Sequence, residues 1–138
     1  MKKSILALLI TFTLCHSTSY SSELNDAIES GKQEFLDSCA ICHGNDAKGN
    51  GVFSTMLTVP VADLTVLTNK YGGQFPFFEV YMTIDGRDQI RPHELMNMPM
   101  WGKRFTHVFN NSIDQEYTDT LVRGRIFEVM LYLQSIQE

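Results

Sequence analysis

Cys39, Ala40, Ile41, Cys42 and His43 form a C-x-x-C-H run. Two thiols about one helical turn apart can add to the two vinyl groups on one edge of a porphyrin. The next residue then brings an imidazole beneath the iron. The spacing predicts one c-type haem, covalently attached through Cys39 and Cys42, with His43 as proximal iron ligand. A structural zinc site needs about four ligands. No cysteine follows Cys42, and His93 and His107 lack the close spacing of a zinc finger. A thioredoxin-like redox pair wants a βαβ setting, which the surrounding pattern does not offer. A plain disulfide leaves His43 without a reason to follow at once.

A second cluster of soft donors lies in the stretch IRPHELMNMPMWG, residues 90–102, where Met96, Met98 and Met100 alternate with polar residues and prolines. Methionine prefers burial, so three in one loop either fill gaps beneath it or offer a thioether to iron. His93 and His107 would make a two-histidine site instead. The glycine-rich GNDAKGNG at 44–51 has no Walker spacing and no preceding strand, so it reads as a loop. No nucleophile–base pair stands out, and an enzyme is not expected.

The chain has 138 residues, enough for one domain with a modest core. Residues 1–21 read as a secretory signal: Lys2 and Lys3, an apolar run from Ile5 to Leu14, then a small polar end. The apolar run is too short to span a bilayer, and Leu14 before Cys15 argues against a lipoprotein cleavage site. The mature domain is then 22–138, placed in the periplasm, with Cys39 and Cys42 its only thiols. Without Lys2 and Lys3 it carries nine basic and sixteen acidic residues, a net charge of −7. Such a chain should bind neither nucleic acid nor an anionic membrane surface and should not insert stably into a membrane. Its natural complement is a redox protein with a basic patch.

Apolar periodicity predicts a first helix over 24–42, with a capping box at Asp26 and Glu29 and an interior glycine, Gly31. Val52–Val61 is a hydrophobic connector. A short helix over 63–71 ends at Gly72 and Gly73, and a second opens at Pro76 and stops at Gly86. The aromatic segment of that second helix suits either plain core or the wall of a crevice. The last helix, about 117–135, carries Val122, Ile126, Val129, Leu133 and Ile136 as one stripe.

On three separated motifs the chain resembles the class I, mitochondrial-type cytochromes c, and among them the small exported bacterial mono-haem proteins. These motifs are GKQEFLDSCAICHG from Gly31 to Gly44, Met98-Pro99-Met100-Trp101-Gly102 as the M-P-x-W-G distal loop, and Tyr132-Leu133 on the last helix. The intervening VPVADLTVLTNKYGGQFP and IDGR are similar to that subgroup too. The resemblance implies an all-α cytochrome c fold, with crossing N- and C-terminal helices around one covalently bound haem. It implies that Gly31 and Phe35 meet Val129 and Tyr132, and that Met98 is the distal ligand. It also implies that a proline carbonyl, here Pro60 as the first proline available, accepts from the second ring nitrogen of His43. Trp101 and Arg87 are candidates to contact the haem propionates.

The expected role is a periplasmic electron carrier cycling Fe(III)/Fe(II), with redox proteins as donor and acceptor. The alternatives are a haem redox subunit of a larger dehydrogenase or oxidase, and a haem sensor or enzyme with a labile sixth ligand.

Overall fold

A computed structural model describes residues 17–87, 98–109 and 114–138. Six α-helices lie among them: α1 (Ser17–Ser38), α2 (Ala40–His43), α3 (Leu67–Lys70), α4 (Phe77–Asp85), α5 (Trp101–Phe109) and α6 (Gln115–Ser135). A 3-10 turn covers Val52–Met56. The described residues contain no strand, so the all-α expectation holds.

The long helices α1 and α6 form the frame. Val122, Ile126, Val129 and Leu133 of α6 are buried along one stripe, joined by Met130 and Tyr132. Fully burying each such side chain contributes about 1.5–3 kcal/mol. That stripe, not the exposed Gly124, therefore holds α6 in place. From α1 the buried residue is Phe35, with Ile28 and Leu36 half-buried beside it. Phe35 packs on Tyr132 with ring centroids 5.3 Å apart. One turn earlier the two backbones nearly touch: a Cβ on Gly31 would sit under 3.0 Å from the carbonyl of Glu128 and the nitrogen of Val129. The interior glycine is thus a close helix approach, as the resemblance implies. Arg125 of α6 clamps the same crossing by pairing with Glu34 of α1 while lying 4.3 Å over the Phe105 ring.

Three local expectations need correction. The first helix begins by Ser17, so Asp26 lies in its interior and caps nothing. Glu29 instead accepts from Gln33 at 3.0 Å and Lys32 at 3.3 Å. The helix also breaks at Cys39 (φ −110°) before the separate turn α2. The segment 63–71 is helical only over Leu67–Lys70, because the Asp63 carboxylate holds the backbone and hydroxyl of Thr65 in a local turn. Helix α4 starts after Pro76 and ends at Gly86 in the left-handed region (φ +66°), as its punctuation predicts. Helix α5 carries no start signal that the sequence reading picked up.

Gly31→Val should force α1 and α6 apart and lower stability by about 1–3 kcal/mol or more. An unchanged urea midpoint would remove the close crossing from this account.

Candidate cofactor site

Helix α2 is a single turn, and the loop after it completes its hydrogen bonding. The carbonyl of Cys39 accepts from the backbone N–H groups of Cys42 (3.1 Å) and His43 (2.9 Å). The glycine-rich loop then folds back, so that Gly51 N–H donates to Cys42 O at 3.0 Å and Gly49 N–H to His43 O at 2.7 Å. These bonds occupy carbonyls that a helix end otherwise leaves orphaned. The loop also grips the connector beyond it: Leu64 N–H donates to Ala47 O at 2.8 Å. Gly49, at φ +81°, lies so close to Val61 O that a Cβ there would overlap it. The side chain of Gln137 fixes the next part of this segment, accepting from Thr68 N–H and donating to Leu64 O.

The outcome is a carbonyl held against His43. Its Nδ1 is 3.2 Å from the oxygen of Ala62, not of Pro60. Pro60 does line the cavity, but pinning residues 61–64 to the loop brings the carbonyl two positions later onto the ring. Burial pushes the His43 pKa down, and the bond to Ala62 opposes that. The ring is therefore a neutral imidazole with its proton on Nδ1 and the Nε2 lone pair available. Cys39 and Cys42 are free thiols. Burial, then the nearby Glu34 and Cys42, push the Cys39 thiol up to about 12.

Cys39, Cys42 and His43 open onto a cavity of about 690 Å³ with mainly apolar walls. Phe35 of α1, Leu64 and Leu67 of the connector, Val80 and Ile84 of α4, and Val129 and Leu133 of α6 contribute to them. The aromatic part of α4 divides: its aliphatic residues line the cavity, Phe77 and Tyr81 pack on the core, and Phe78 is exposed. Met98, Pro99 and Trp101 line the same cavity. Met100 does not; its side chain covers Gly86. His107 is exposed and away from the lining, whereas Met96 and His93 lie outside the described residues. Met56, on the exposed 3-10 turn, is a further lining thioether that the motif reading missed.

Arg87 is not where a cofactor contact was expected. It is absent from the cavity lining, and its guanidinium is taken by Asp85 (Nε to Oδ1, 2.8 Å) and Asp119 (Nη1 to Oδ1, 2.6 Å). The cation on the cavity wall is Arg104, 5.2 Å over the Trp101 ring and three residues beyond it on α5. An aromatic and a basic residue three positions apart share a helix face, but that pairing becomes legible only once α5 is known to be a helix. Ala62 leaves no signal at all, since a backbone carbonyl has no residue type.

The donor set bears on what could occupy this space. Among the described residues no three His, Cys, Asp or Glu side chains gather to hold a metal ion by themselves. One imidazole and a thioether on a large apolar cavity suit iron already held by a macrocycle, and two adjacent thiols suit its covalent attachment. The residues fit a haem.

Gly49→Ala should cost about 1–2 kcal/mol for the left-handed backbone alone and push Val61 away, loosening Ala62 from the ring. Faster solvent exchange of the His43 Nδ1–H, read by nitrogen-15 histidine NMR, is the expected signature. The chain matches no protein-family model, no curated protein and no solved structure, so its function must be argued from this cavity and its residues.

Proposed function

We propose that the chain is an exported electron-transfer protein that carries one haem c, bound through Cys39 and Cys42 and ligated by His43 Nε2 and Met98 Sδ. The observation that carries this reading is that the C-x-x-C-H residues and Met98 line one apolar cavity. When bound, the haem supplies a one-electron Fe(III)/Fe(II) couple.

The chain's own groups divide the remaining work. The Cys39 and Cys42 thiols would hold the haem, since addition of each S–H across a vinyl group would give a thioether with no oxidant. Ala62 fixes the orientation of His43 and, by accepting from Nδ1–H, makes Nε2 a stronger donor. Met98 offers a neutral sulfur, and the walls from Val80, Ile84, Val129 and Leu133 exclude water. Both disfavour the extra positive charge of the oxidised state and so raise the potential. Arg104 and Trp101 are the donors positioned on the wall to receive propionate carboxylates, in place of Arg87. Lys2, Lys3 and the apolar run after them support export to the periplasm. No helix among the described residues is long and apolar enough to cross a membrane.

Intact mass after co-expression with a haem-maturation system should show covalent haem, lost when Cys39→Ser and Cys42→Ser are combined. The ferric spectrum should show a weak far-red sulfur-to-iron band that disappears in Met98→Ala and persists in Met100→Ala and Met56→Ala. A wild-type protein without the band, whose ferrous form binds carbon monoxide at once, would instead be the sensor or enzyme with a labile sixth ligand.

A further inference from the structure

The residues that follow Met98 pack against the end of α4. The side chain of Met100 covers Gly86, with its Cγ 3.1 Å from where a Cβ would be. Two residues on, Gly102 lies flat against the carboxylate of Asp85 and the guanidinium of Arg87. A Cβ there would overlap Asp85 Oδ1 and stand 2.8 Å from Arg87 Nε. Arg87 then reaches across to Asp119 in the first turns of α6. The end of α4, the start of α5 and the start of α6 thus meet at one guanidinium and two carboxylates. The Asp85 side chain is only 5 % exposed, so its charge has lost most of its water and depends on Arg87 for compensation. Met98 stands four residues before Gly102, just outside this junction.

We infer that Asp85, Arg87 and Asp119 form a latch that positions Met98 in the cavity, and that Arg87 serves the site through this latch and not by touching the cofactor. The inference rests on the haem reading with Met98 as axial ligand. A thioether is a weak ligand held by a single bond, so its occupancy depends on how firmly the chain presents it. Both glycines are part of the device. Gly86 admits Met100, and Gly102 lets the backbone of α5 lie directly on the ion pair. Releasing Arg87 leaves Asp85 buried without its counter-charge and loosens Met100 and Gly102 from the end of α4, which raises the fraction of molecules with an open sixth position. Apparent affinity for an exogenous ligand rises in proportion to that open fraction.

The test uses holoprotein with covalent haem verified by mass. Arg87→Met should weaken the far-red band and increase carbon monoxide binding by the ferrous protein about tenfold. Arg87→Lys, which keeps a charge at the junction, should recover part of the band. Asp119→Asn, at a more exposed position, should give a smaller change of the same kind and carries the test if Arg87→Met does not accumulate. Ile28→Ala, which removes a half-buried side chain packed on the core outside the cavity lining, is the control for plain destabilisation and should keep the wild-type spectrum. A wild-type band with Arg87→Met and Asp119→Asn both unchanged overturns the latch while leaving Met98 ligation intact. Equal loss of the band in Ile28→Ala at matched thermal midpoint overturns it too. A wild type with no band removes the axial methionine, and the latch with it.

Discussion

At Gly31 the backbone of α1 rests on the backbone of α6, with no side chain between them. Helices with ordinary side chains at their contact stay 8–10 Å apart, and the glycine removes that spacer. The approach brings Phe35 onto Tyr132 and aims the end of α1 at the C-terminal half of α6. Because α2 follows α1 after one residue, the same contact decides where Cys39, Cys42 and His43 stand relative to Val129 and Leu133. The cavity therefore exists because two segments nearly a hundred residues apart are locked together. The Glu34–Arg125 pair and the Arg125–Phe105 stack extend that lock to α5.

Around this frame the two faces of the cavity are secured by different physics. On the His43 side, backbone hydrogen bonds and a left-handed glycine tie the loop to the connector, and the ring receives a carbonyl that is not free to move. On the Met98 side, the chain is fixed by charge, through a guanidinium shared between two carboxylates. The first arrangement rests on hydrogen bonds within the fold and is little affected by salt. The second is partly exposed, so ionic strength and a partner's own charges act on it. The two sides are thus unequal in firmness, and Met98 stands on the softer one.

Much of the frame was legible in the sequence because it follows from local pattern. The stripe of α6, the Pro76 start and Gly86 stop of α4, and the odd glycine in α1 each declare themselves within a few residues. The motif residues and Met98, singled out by type and spacing, line one cavity. What escaped has a common cause: it depends on which distant segments are brought together. Ala62 acts through its main chain and reaches His43 only because residues 61–64 are held to the loop. Arg87 has the right chemistry for a carboxylate, but Asp85 and Asp119 meet it before any cofactor would. Arg104 required α5 to be a helix, and a start at Trp101 after two flexible thioethers and a proline sends no capping signal. Met56 sits on an exposed turn whose only link to the cavity is three-dimensional.

The position of the thiols along the chain has a consequence for assembly. Cys39 and Cys42 emerge from the ribosome, and from any export channel, long before Val129 and Leu133 complete the wall opposite them. In the finished fold the Cys39 thiol is largely enclosed and held in its protonated, unreactive form. If the thiols are to be alkylated by a haem, that reaction would belong to the period when α6 has not yet docked. Synthesis from the N-terminus supplies that period without any special device. On the haem reading, closure by the last helix would seal a bond already made, and the order of the chain would double as the order of maturation.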